Sequence, residues 1–247
     1  MPVAANSVVQ VVFPGYGRSL AYYNDRFDLH VGDRVYVEGK FEGNLGRVTE
    51  VNRNFKINLS YYKRVINRVD TRVQGQFFRT DGYLLTFDKT ALPPKKVRSW
   101  FKAPHTGGEK TVFGSDSVKY PLDTLSGLNF SPDIAKRGVD YFESKNVLYM
   151  HFSGKRVYAL VQGSDVYEVE FNYENGELSS LTCSCYCACN CKHEFAVLLQ
   201  LRELLKFIEK RYAVEFRRFG AFSVMEESAL LSFALGENSA TESILFN

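Results

Sequence analysis

Cys183-Ser-Cys-Tyr-Cys-Ala-Cys-Asn-Cys-Lys-His193 is the stretch from which the rest of this chain is read. All five cysteines of the 247-residue sequence lie in it, at alternate positions. A disulfide removes most unfolded-state entropy when it closes a long loop. An odd number of crowded thiols makes a poor disulfide framework. Thiolates with one imidazole are the ligands that zinc prefers, and a structural zinc takes four of them in a tetrahedron. The outer pattern is C-x-C, five residues, then C-x-H, and it selects Cys183, Cys185, Cys191 and His193 as the metal ligands.

Cys183 and Cys185 supply two sulfurs from one tight turn. Cys191 and His193 supply the other two donors from the start of a helix. That helix is read over Glu194 to Ile208, since Leu198, Leu201, Leu205, Ile208 and Tyr212 recur at spacings of three and four. Two strand-like runs precede the cysteines, Arg156 to Gln162 and Val166 to Phe171. Strand, strand, metal turn, helix is an order in which a small zinc module can be built.

These residues together resemble a SWIM zinc finger, whose pattern is C-x-C, a variable spacer, then C-x-H. The likeness extends to Arg137-Gly138 with Tyr141, to Val161-Gln-Gly-Ser164 with Tyr167, to Asn190, and to Ala196-Val-Leu-Leu199. It covers roughly residues 133 to 212. It implies a ββα zinc finger with one structural Zn2+ and a role in binding DNA, RNA or protein. Proteins with such fingers include chromatin-type ATPases, transposase relatives and ubiquitin-ligase relatives. Many bacterial examples precede a helicase engine, so the chain resembles the N-terminal part of a bacterial SNF-type helicase-related protein. It has no motor motifs itself. The helicase or ATPase motor is then expected in cis, beyond this chain, or in trans as a separate subunit. Cys187 and Cys189 depart from the pattern, because they occupy a spacer that usually has no ligands. The zinc could swap partners there, or a second metal could join. Cys187 and Cys189 themselves read as small, semi-exposed thiols of the spacer, and an iron–sulfur or thiolate–copper cluster is the alternative that crowded thiolates allow. The C-x-H pair argues for zinc.

A hydrophobic content of 45% is enough for a sizeable core, and 20 Phe with 15 Tyr favour β-rich structure. The net charge of +3 is too small to establish a nucleic-acid partner. No apolar run reaches the roughly 18 residues of a membrane span. The start, Met1 to Ser7, lacks the basic and apolar regions of a secretory signal. Clustered free thiols fit a reducing interior. A cytoplasmic location is expected, or a nuclear one if the source is eukaryotic.

The expected fold class is α+β. Residues 1–91 read as a small, β-rich, barrel-like domain. Its strand candidates are Val8 to Phe13, Leu20 to Tyr23, Arg34 to Glu38, Leu45 to Val51, Phe55 to Leu59, Val73 to Arg79 and Tyr83 to Asp88. Val31-Gly-Asp-Arg-Val-Tyr-Val37 followed by Leu45-Gly-Arg-Val48 is similar to small SH3-like or KOW-like barrels. Asp81-Gly82 marks a hairpin turn. Residues 92–132 read as an irregular linker, from Pro93-Pro94, Pro104, Gly107-Gly108, Gly114 and Pro121, with Trp100 and Phe101 docked onto a domain. Residues 133–218 form the finger domain, entered through a helix that starts at Ser131-Pro-Asp133. Residues 219–247 read as an acidic helical tail. Phe219 to Asn247 has no Lys or Arg, and Ser223-x-x-Glu226 and Ser239-x-x-Glu242 fit capping boxes.

The best nucleic-acid candidates are Arg53, Lys56, Lys63, Arg64, Arg68 and Arg72, interleaved with Phe55, Tyr61 and Tyr62. Cations there would bind phosphates and rings would stack on bases. The bland alternative is a solvated face of a β-domain. If Tyr61 and Tyr62 lie on a strand, they point to opposite sides. Lys95, Lys96, Arg98 and Lys102 form a second basic cluster. Gly107-Gly-Glu-Lys-Thr111 fails as a phosphate loop, because Glu109 stands where glycine is required. His30, His105 and His151 have no matching nucleophile or carboxylate arrangement. The sequence therefore reads as a zinc-binding interaction module and not as an enzyme. The alternative is a metal- or redox-dependent enzyme that uses the cysteine cluster. Four protein ligands, however, leave no open position for water.

Overall fold

The computed structural model describes residues 6–104, 112, 114, 118–187, 190–234 and the backbone of 244–246. Two compact units divide the chain. One takes the described parts of Met1–Arg72, Lys95–Glu109 and Leu231–Glu242; the other takes those of Val73–Pro94, Lys110–Leu230 and Ser243–Asn247.

In the first unit, Val9, Val11 and Phe13 are buried and alternate with half-buried neighbours along β1 (Ser7–Phe13). That is the period of a strand with one face on a core. It joins β2 (Tyr16–Asn24), β3 (Arg34–Val37), β4 (Gly46–Asn52) and β5 (Val65–Val69) in a sheet of order β2-β1-β4-β3-β5. Tyr23 of β2 forms an isolated bridge with Arg64, just before β5, and its N–H donates to Lys63 O at 2.9 Å. This does not amount to the closed barrel that the spacing of strands invites. Val35, Val37, Val48, Val65 and Leu29 fill the core, and Phe13 stacks on Phe41 at 4.4 Å.

The strand expected over Phe55 to Leu59 is absent. Asn58 instead caps a 3-10 turn, Leu59–Tyr61, its side-chain oxygen accepting from Ser60 N at 3.1 Å. Short polar side chains offer the backbone such local partners in place of a ladder. Tyr61 lies in that turn and is exposed, while Tyr62 is half-buried, so strand alternation is not what separates them. Helix α1 (Pro94–Phe101) replaces part of the expected irregular stretch. Trp100 is buried there, donating its indole N–H to Asp70 O at 2.8 Å and stacking on Phe233 at 5.0 Å.

The second unit contains β6 (Gly75–Thr80) and β7 (Tyr83–Thr86), a hairpin around Asp81-Gly82. Next come β8 (Tyr120–Pro121), α2 (Pro132–Glu143), β9 (Val147–Ser153), β10 (Arg156–Gln162), β11 (Val166–Glu174), β12 (Glu177–Cys183) and α3 (Lys192–Arg211). It ends with α4 (Ala213–Phe219), β13 (Ala221–Glu226) and β14 (Ile244–Phe246). The sheet order is β14-β6-β7-β13-β9-β10-β11-β12-β8. The hairpin that the sequence groups with the N-terminal strands thus pairs, through β7, with β13. Ser131 caps α2 as expected, its hydroxyl accepting from Ile134 N at 3.3 Å.

Among the described residues the acidic tail opens with a strand, β13, where the first helix was expected. Ala221-Phe-Ser-Val-Met225 is buried throughout and lies between β7 and β9, as a central strand apolar on both faces should. The Ser223/Glu226 capping box does not form. Glu226 instead accepts from Ser228 N and Ala229 N at the start of α5 (Glu227–Ala234). The second proposed box, Ser239 to Glu242, lies outside the described residues, as do His105, Gly107 to Thr111 and Cys189.

Candidate metal centre

The β11–β12 ladder sets the first pair of cysteines. Cys183 ends β12 opposite Val169. The pairing continues one residue further: Ser184 N–H donates to Glu168 O at 2.9 Å, and Ser184 Oγ accepts from Glu168 N at 2.8 Å. The chain then turns through Cys185, whose sulfur accepts the Cys187 backbone N–H. Asn190 takes a left-handed conformation (φ 41°), one that Asn tolerates better than most residues. Cys191 follows as the N-cap of α3, and His193 lies in its first turn.

Cys183, Cys185, Cys191 and His193 bring their donor atoms within 4.8 Å of one another, a group that could hold a metal ion. His193 Nδ1 is 3.6 Å from Cys191 Sγ and 3.8 Å from Cys183 Sγ. A tetrahedral zinc with ordinary Zn–S and Zn–N bonds requires about 3.6 Å between such donors. Cys185, Cys191 and His193 are buried and Cys183 is half-buried. Cys187 is exposed and outside the group.

Electrostatics at the site follow from this burial. Desolvation pushes His193 down to about 4, helped by Lys192 and Arg137, so its ring is neutral and available as a ligand. Desolvation pushes the Cys185 thiol up to about 11. A hydrogen bond with Cys183, then burial, raises Cys191 as well. In the metal-free chain the Cys185 and Cys191 thiols therefore hold their protons at neutral pH, and a metal must displace them.

The remaining residues of the sequence motif pack around His193. Its ring stacks on Tyr167 (4.5 Å between centroids) and meets Tyr141 edge-on at 5.5 Å. Tyr167 OH is bonded to Ser164 Oγ at 2.8 Å. Gly163 permits this packing, since a Cβ there would stand 2.9 Å from the Tyr167 ring. Gly138 is buried on α2, where a Cβ would stand 2.7 Å from Phe195 of α3. Lys192 Nζ lies 4.2 Å from the Tyr141 ring centroid. Glu194 is a residue the sequence reading missed. Its signal is the spacing Cys191-x-x-Glu194, a capping box with sulfur in place of a hydroxyl.

The basic stretch of the first unit looks different once folded. Arg53 pairs with Asp28, Arg64 with Asp25, Arg68 with Asp33, and Arg72 with Asp70. Four of the six proposed phosphate contacts already have carboxylate partners. Lys56 is exposed, and the stem of Lys63 passes over Gly39. Of the histidines, His30 faces Asp28 at 4.0 Å, and His151 Nδ1 is 2.8 Å from Ser223 Oγ. No helix among the described residues is long and apolar enough to cross a membrane.

No family model and no solved structure matches the chain. An uncharacterized protein of Methanocaldococcus jannaschii is 31% identical over 71 residues, which are 29% of this chain and 30% of that protein. The chain thus spans less than a third of the length of that relative.

Proposed function

We propose that Cys183, Cys185, Cys191 and His193 hold one structural zinc ion in a SWIM-type finger of β10, β11, β12 and α3. On this reading the chain is a binding module for nucleic acid or protein and not an enzyme. The observation that carries it is the gathering of three sulfurs and Nδ1 within 4.8 Å, mostly buried, from two ends of one spacer. Three thiolates and an imidazole complete a tetrahedron, so no position remains for a catalytic water. Zinc supplies folding free energy here, because it ties the end of β12 to the start of α3. Unpaired thiols at the ligand positions fit a reducing compartment, the cytoplasm or nucleus. The protein partner that the resemblance implies is a helicase or ATPase motor, in cis or in trans.

Hydrogen exchange with and without a zinc chelator tests the structural role. Chelation should open the start of α3 and the end of β12 while β1 to β5 stay protected, and added zinc should restore protection. Unchanged exchange at Cys183 to Phe195 on chelation would rule out a structural zinc.

A further inference from the structure

A cavity of about 180 Å³ adjoins the metal ligands. Its lining includes Arg137, Lys192, Ser164, Tyr167 and His193, and none of its described lining residues is a carboxylate. Arg137 and Lys192 make no ion pair among the described residues. This sets them apart from Arg53, Arg64, Arg68 and Arg72. Lys192 is also the first residue of the 20-residue helix α3, whose N-terminal N–H groups and dipole favour an anion. A zinc ion with three thiolates carries one net negative charge, which the two cations exceed.

One further observation bears on what enters. Tyr186, which also lines the cavity, is 91% exposed. A ring so exposed and next to cations is the stacking platform that unpaired bases use.

We propose that this cavity seats a backbone phosphate of single-stranded nucleic acid, with the Tyr186 ring under an adjoining base. The proposal rests on the reading of the finger as an interaction module and names its partner. Contacts to phosphate carry no sequence information, so binding tolerates sequence change and depends on salt.

The test is fluorescence anisotropy on the zinc-loaded full chain at low salt. The probes are oligo(dT), oligo(U), a duplex of equal length and a polyglutamate peptide. Both single strands should bind more tightly than the duplex, and polyglutamate should bind weakly. Arg137→Glu with Lys192→Glu should weaken single-strand binding about tenfold or more and reduce the salt slope by about 1.4, two phosphates at roughly 0.7 each. Tyr186→Ala should weaken it about fivefold or more. Arg137→Glu alone leaves the ligand loop intact and should show part of the effect with unchanged zinc content. Lys56→Glu with Lys63→Glu should bind as the wild type. Wild-type binding by both cavity variants overturns the assignment, as does equal affinity for duplex or polyglutamate. If no oligonucleotide binds, the nucleic-acid site falls, while zinc content and chelator-induced opening still decide the finger itself.

Discussion

Cys191 and Glu194 hold each other at the start of α3: Cys191 N–H donates to Glu194 Oε2 at 2.6 Å, and Glu194 N–H donates to Cys191 Sγ at 3.4 Å. The sulfur of a candidate metal ligand therefore also satisfies a backbone donor that the helix cannot satisfy itself. Glu194 is buried, and desolvation raises its carboxyl above the usual range. Glu194→Ala strands the Cys191 N–H. It should cost about 1–2 kcal/mol in denaturant unfolding and loosen metal in a chelator competition. Glu194→Gln, which keeps an acceptor, should be milder. A Glu194→Ala chain as stable and as metal-retentive as the wild type would show that the box contributes nothing.

Gly138→Ala separates helix propensity from packing. Alanine in a helix interior is favoured over glycine by about 1 kcal/mol. At this position its Cβ would stand 2.7 Å from the Cβ of Phe195, so α2 and α3 must move apart. Overpacking of this kind costs about 1–3 kcal/mol. The expected sign in a melting experiment is destabilisation. A rise in Tm would mean that the helices yield without cost.

Acid should destabilise the metal-free chain through His151, which lies on β9 outside the ligand loop. Burial lowers its pKa from 6.5. Below pH 6.5 the unfolded chain takes up a proton that the folded chain refuses, so stability falls as pH drops through that range. Denaturant midpoints measured at several pH values across that window check the direction. Zinc uptake adds a second dependence of the same sign, since the raised Cys185 and Cys191 thiols must give up protons. An indicator dye should report proton release when zinc is added at neutral pH.

Cys187 should be dispensable for metal. It is exposed, and its contribution to Cys185 is a backbone N–H that alanine retains. Cys187→Ala should keep wild-type zinc content, and Cys191→Ser should not. In the zinc-loaded chain a thiol reagent should modify Cys187 quickly and reach Cys183, Cys185 and Cys191 only after chelation. Equal loss of metal in both variants would reassign the ligands.

The candidate site was more legible in the sequence than the fold around it. Ligand chemistry is local, so C-x-C and C-x-H could name four side chains without knowledge of the sheet. Gly138, Gly163, Tyr141 and Tyr167 stood out as motif residues, but their role is spatial and appears only where they pack on His193 or Phe195. The strand β13 was misread because Ser223-x-x-Glu226 imitates a helix start. Burial on both faces between β7 and β9 decides that segment, and pairing partners so distant in sequence leave no local mark. Charge misled in a similar way. The run from Arg53 to Arg72 holds only Asp70 against its six cations, yet Asp25, Asp28 and Asp33 reach it from an earlier segment. Lys192 and Arg137 are sparse in sequence, and the fold brings them to one cavity.

Elemental analysis of the purified chain, run in parallel with Cys191→Ser and His193→Ala, tests the zinc site most directly. The expected result is one zinc per wild-type chain, lost from both variants and retained by Cys187→Ala. Wild-type protein without zinc, with iron or a second metal, or with zinc that survives both ligand substitutions would contradict a single structural zinc held by Cys183, Cys185, Cys191 and His193.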